Sequence, residues 1–267
     1  MSEQMIARRR GCPITAALLP WLLAACSQRS DAPPPVAQAD PAPGPASALA
    51  MLDAAMDAET DLREHMREHL AAVVRVQEAI VRGQLDQVRR DGAWLIIHPE
   101  HVELADAAAD VERLRAAAVV VAEAKDLPAA AAGLAALGSA CASCHDARGA
   151  IATFEWEPEP PDEASLAAQM RRHQWAAARL WQGVVGPSDE LWRQGSSALS
   201  TLRLDVGSLA DGPSGPAVKA AVARVRALAT QAQNLRDPAA RTALYGELLT
   251  TCVGCHQEVR PGPRPMP

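Results

Sequence analysis

Two short stretches hold the residues with chemistry to offer: CASCH, Cys141 to His145, and CVGCH, Cys252 to His256. Three chemistries use a CxxC spacing. Two thiols separated by two residues can each form a thioether to one edge of a porphyrin, with the following histidine on the iron. Two such pairs can share one zinc ion through four thiolates. A single pair can act as a redox dithiol. The pairs lie 111 residues apart and each carries a histidine that zinc would not need. A redox dithiol usually opens a helix in an α/β fold, and no strand pattern is visible. The spacing therefore points to covalent haem, two per chain, with Cys141, Cys144, Cys252 and Cys255 as attachment points. His145 and His256 are then the proximal iron ligands.

The remaining cysteines, Cys12 and Cys26, belong to a leader. Arg8 to Arg10 precede an apolar stretch, Ile14 to Ala25, which reads as a signal peptide over residues 1–25. It is too short for a comfortable membrane span, which needs ~20 apolar residues. The segment Leu23-Ala24-Ala25-Cys26 resembles a bacterial lipobox, which implies cleavage before Cys26 and lipidation of its thiol. Ser27 after the cysteine resembles outer-membrane sorting. A Pro/Ala-rich tether follows over 26–48. Covalent haem attachment takes place outside the cytoplasm, in agreement with a leader. The formal net charge is −6, and removing the leader makes the mature chain more acidic, near −8. Nucleic-acid binding wants a basic face and is not expected.

The elements that must position these motifs come in two copies. Residues 59–82 and 163–186 align at a shift of 104, which lays Met66-Arg67-x-His69 on Met170-Arg171-x-His173, and Arg75 on Arg179. Both apolar stripes step by 4, 3, 4, 3, 4, one face of a packed helix. Each copy continues with a break at Gly83 or Gly186-Pro187 and a shorter helix (85–97, 188–202). A third helix (102–124, 218–235) and a fourth that starts at Pro128 or Pro238 and ends in CxxCH complete it. The second copy has an extra loop, Asp205 to Pro216. The expected fold is all-α: two tandem four-helix bundles, 49–148 and 163–260, joined by a stiff, solvated Pro/Glu linker over 149–162, with a tail over 261–267.

In an antiparallel bundle the end of helix four lies beside the start of helix one, so His145 would face Met66, and His256 would face Met170. On these motifs each repeat resembles the cytochrome c-prime superfamily of four-helix bundles, with its CxxCH on the last helix. The pattern Asp61-Leu62-x-x-x-Met66 is similar to helix one of the periplasmic four-helix b-type cytochrome. The resemblance implies Met66 and Met170 as sixth iron ligands; Ser165 departs from the pattern at the position of Asp61. His69 and His173, three residues further along the same stripe, are the alternative sixth ligands. Arg67 and Arg171 could pair with haem propionates or simply face solvent. Trp94 and Trp192 could lie on a porphyrin or pack in the core. His98-Pro99-Glu100-His101 has metal-like spacing but no counterpart in the second copy, and it reads as surface.

The expectation is a dihaem c-type cytochrome, a one-electron carrier anchored by lipid to the outer membrane and facing the periplasm. Its partners would be redox proteins, with self-association left open. No acid, base and substrate pocket cluster together, so an enzyme is not expected. The alternative is a gas-binding or gas-sensing haem protein of the same superfamily with an open sixth position.

Overall fold

The structure, a computed structural model, describes residues 45–204 and 215–259. The leader, Cys26, most of the tether, most of the 205–216 loop and the 261–267 tail lie outside the described residues. Among the described residues every regular element is helical. The first repeat contains α1 (Pro45–Val81), α2 (Leu85–Ile97), a 3-10 turn (Val102–Ala107), α3 (Ala108–Ala122) and α4 (Leu127–Arg148). The second contains α5 (Leu166–Val185), α6 (Asp189–Thr201), α7 (Gly215–Ala232) and α8 (Pro238–Glu258).

The helix boundaries follow from local chemistry. Asp126, Ser165, Ser188 and Asp237 each cap a helix by accepting a hydrogen bond from the backbone N–H three residues on. Proline in the first turn of α4 and α8 gives up no helical bond. Gly149 closes α4 at φ 61°, in the left-handed region, and the Ala150 N–H then returns to the His145 carbonyl at 2.8 Å. α1 starts earlier than its amphipathic stripe requires. The stretch from Ala46 to Ala58 is rich in alanine, the strongest helix former, so the helix takes in the last residues assigned to the tether.

Within the first repeat α2 packs on α1 and α3, and α3 packs on α4. The second repeats this order, with α6 on α5 and α7, and α7 on α8. The two repeats are not held apart by the linker. α4 packs along α8, and one continuous core runs through both repeats. The small residues on α4 allow this approach: a Cβ built at Gly246 would lie 3.2 Å from Ala135 Cβ and 3.7 Å from the Ala131 carbonyl. The linker itself is strapped to α5. Trp175 Nε1 and an Arg179 guanidinium nitrogen both donate to the Glu157 carbonyl, at 3.1 and 3.0 Å, and Arg172 donates to Glu159 at 2.7 Å.

Candidate functional site

Both CxxCH motifs occupy the last turns of long helices, α4 and α8. The i, i+3 spacing of each cysteine pair puts both sulfurs on one side of the helix. All four are free thiols. Burial pushes Cys141 and Cys252 up to about 12, with the neighbouring cysteine of each pair adding to the shift. They are therefore thiols rather than thiolates at neutral pH.

Side-chain contacts fix the relative directions of the helices that carry the motifs. His173 on α5 lies with Nε2 3.8 Å from Cys252 Sγ on α8, and eight residues later the Trp181 ring meets the Tyr245 ring at 5.3 Å. Advancing along α5 means retreating along α8, so these two are antiparallel. A Cβ at Gly138 on α4 would meet the Trp181 ring at 2.7 Å, and His145 Nδ1 lies 2.8 Å from the Val185 carbonyl. Advancing along α5 means advancing along α4. Hence α4 and α8 run antiparallel and cross near Ala135 and Gly246. Each motif histidine lies about ten residues beyond the crossing in opposite directions, so the two motifs are roughly 30 Å apart at 1.5 Å per residue. A zinc ion shared between the two CxxC pairs is excluded by that distance.

The histidines of the two motifs differ in their partners. His145 Nδ1 is satisfied by the Val185 carbonyl, which comes from the other repeat. A carbonyl only accepts, so Nδ1–H is the donor and the ring is oriented as in a histidine that ligates a metal through Nε2. His256 Nδ1 is buried without a hydrogen-bond partner, and burial lowers its pKa. Opposite it, His173 is buried and held at about 4 by desolvation and then by His256. The structure therefore brings Cys252, His256 and His173 together. Met66 and Met170 lie half-buried on their helices.

The chain matches no protein-family model, no curated protein and no solved structure. The site must be read from its own chemistry.

His69, the counterpart of His173, has different neighbours. Its ring lies 4.4 Å from His65 and 5.1 Å from His98. Its pKa falls to about 4 through burial, followed by His65 and His98. Sequence reasoning passed over His65, although its i, i+4 spacing to His69 places both on one helix face. It also read His98 and His101 as surface residues. Instead, the end of α2 folds back over α1, so that His98 stacks on Trp94 at 4.0 Å and on His65 at 5.0 Å, and His101 lies 5.8 Å from His65. Trp192 is core: it is fully buried and donates Nε1 to the Ala232 carbonyl at 2.8 Å. Arg67 and Arg171 are exposed, and Arg171 pairs only loosely with Glu163, at 4.0 Å.

The donor set fits covalent haem at both ends. Each end offers two uncommitted thiols on one helix side and a histidine in the same turn. The first histidine is oriented by a carbonyl, and the second faces another histidine in dry surroundings.

Proposed function

We propose that this chain is a lipid-anchored dihaem c-type cytochrome, built as two tandem four-helix units of the cytochrome c-prime kind, that carries single electrons between redox proteins of the bacterial periplasm. The observation that carries this reading is the His145 Nδ1 bond to the Val185 carbonyl, with Nε2 left available beside a CxxC pair. Haem, when bound, supplies the ferric/ferrous couple. The protein's part is to hold it, orient its ligands and exclude water.

In the first repeat Cys141 and Cys144 would hold the porphyrin edge and His145 the iron. Met66, half-buried on the inward stripe of α1, would take the far side, as the resemblance implies, with His69 as the alternative. In the second repeat Cys252 and Cys255 would hold the edge and His256 the iron, with His173 or Met170 available on the far side. His173 is preferred to Met170 because its Nε2 already lies 3.8 Å from Cys252 Sγ. A thioether ligand favours ferrous iron, so the first site would have the higher potential and the second the lower. The separation of the two ends lets each dock its own partner. Cys26 would carry the lipid, leaving both sites on the periplasmic side of the outer membrane.

Near-infrared magnetic circular dichroism of the ferric protein tests the ligand assignment. The expected spectrum holds one histidine–methionine and one bis-histidine charge-transfer band in equal amounts. High-spin iron that binds carbon monoxide without displacing a ligand would replace the carrier reading with gas binding.

A further inference from the structure

Two of the three histidines that meet in the first repeat, His65 and His98, are not shared with the second. Shifting by 104 residues places Gln169 opposite His65 and Leu202 opposite His98, so the second CxxCH site is built without either histidine. Something else must explain why the first repeat gathers them. Core histidines normally spend both ring nitrogens on hydrogen bonds. Here the Nε2 atoms of His65 and His69 are buried with no partner, at a cost of ~1–3 kcal/mol each.

The geometry points to a divalent transition-metal site, for Zn(II) or Cu(II), formed by His65, His69 and His98. One nitrogen from each ring lies within 4.8 Å of the others. Bonds of about 2.0–2.1 Å to a tetrahedral ion put ligand nitrogens about 3.3 Å apart, so small ring rotations close the site. The donors are all imidazole, which suits zinc and copper and not the hard oxygen-seeking ions. Glu68 Oε2 lies 3.2 Å from His98 Nε2, where a carboxylate orients a ligand histidine or completes the coordination. Two ligands come from one face of α1 and the third from the cap of α2. A bound ion would therefore clamp the end of α2 onto α1.

The test is isothermal titration of Zn(II) into the chelator-treated, haem-loaded full chain, with Cu(II) electron paramagnetic resonance as a second readout. One ion per chain and three-nitrogen superhyperfine structure are expected. His65→Gln and His98→Leu each install the residue that the second repeat uses at that position, so the fold should be retained, as judged by unchanged helical circular dichroism. Each should weaken binding by more than about 100-fold, beyond what loss of a residue outside the coordination shell does. Haem content is counted separately, so loss of the cytochrome reading would not register as loss of the metal site. No uptake at micromolar zinc, or uptake unchanged in both variants, would overturn the proposal. So would bis-histidine iron in both repeats, because His69 would then be on the iron.

Discussion

Replacing Gly138 with alanine should destabilise this protein, although the same change inside an open helix stabilises by about 1 kcal/mol. The new methyl would lie 2.7 and 2.8 Å from two ring carbons of Trp181 and 3.2 Å from Val184 Cγ1. The ring cannot retreat. Trp181 is only 2% exposed and is backed by Tyr245, which is 1% exposed. Overpacking of this kind costs ~1–3 kcal/mol, and the 2.7 Å approach to a ring that cannot move puts this site at the upper end, for a net loss of up to about 2 kcal/mol after the helical gain. For a chain of this size that corresponds to a fall in Tm of up to about 8 °C. Urea unfolding should show a lower midpoint with an unchanged slope. The cause is isolated by a double-mutant cycle with Trp181→Leu, in which Gly138→Ala should become neutral or stabilising, a coupling of about 1–3 kcal/mol. If Gly138→Ala raises the midpoint, or costs as much without the tryptophan, α4 and α5 do not meet here. The antiparallel arrangement of the two motifs would then lose its support.

Acid should weaken the fold over a defined window. In the haem- and metal-free chain His69 and His173 are held at about 4 against an ordinary 6.5, so between pH 6.5 and 4 the unfolded chain takes up protons that the folded chain refuses, and stability falls as pH falls. His173 alone accounts for on the order of 3 kcal/mol, lost by about pH 4 and constant above roughly 6.5, and a urea midpoint that stays level from pH 7 to 4 would contradict this. Arg241 is 4% exposed, donates to Asp189 at 2.5 Å and to the Leu235 carbonyl at 3.1 Å, and lies over Trp192. Arg241→Ala should cost ~3 kcal/mol and Asp189→Ala ~1 kcal/mol by urea titration, because the aspartate is exposed and the arginine is not. Arg179→Ala should raise the rate of limited proteolysis between Glu155 and Glu163 roughly tenfold, the equivalent of one lost hydrogen bond, with helical circular dichroism unchanged.

The local order of this fold is written in local signals. The apolar stripes, the prolines at 128 and 238, and the breaks at Gly83 and Gly186 mark helix after helix, because helix formation depends on residues within a turn or two. The 104-residue register then makes the second repeat legible from the first. The contact between repeats is different. Ala131, Ala135 and Gly246 bring α4 and α8 together, but in sequence they look like the alanine and glycine of any helix. For the same reason the linker reads as solvated, since nothing in its Pro/Glu run announces that Trp175 and Arg179 will bind the Glu157 carbonyl. Of the candidate site, the CxxCH residues are legible because their spacing is itself the chemistry. The histidine cluster is only half legible. His65 and His69 share a helix face by spacing, whereas His98 arrives through the tertiary path of α2. The carbonyl that orients His145 comes from the far repeat, 40 residues on, and no motif predicts it.

The central claim is that two haems are covalently attached, one to each CxxCH. Intact mass spectrometry under denaturing conditions tests it most directly, on chain produced in a host competent for c-type maturation. The expected result is a mass increment of two haems that survives acid extraction. Cys141→Ala with Cys144→Ala should remove one haem, and Cys252→Ala with Cys255→Ala should remove the other. A polypeptide of unmodified mass with four titratable thiols at these positions would contradict it.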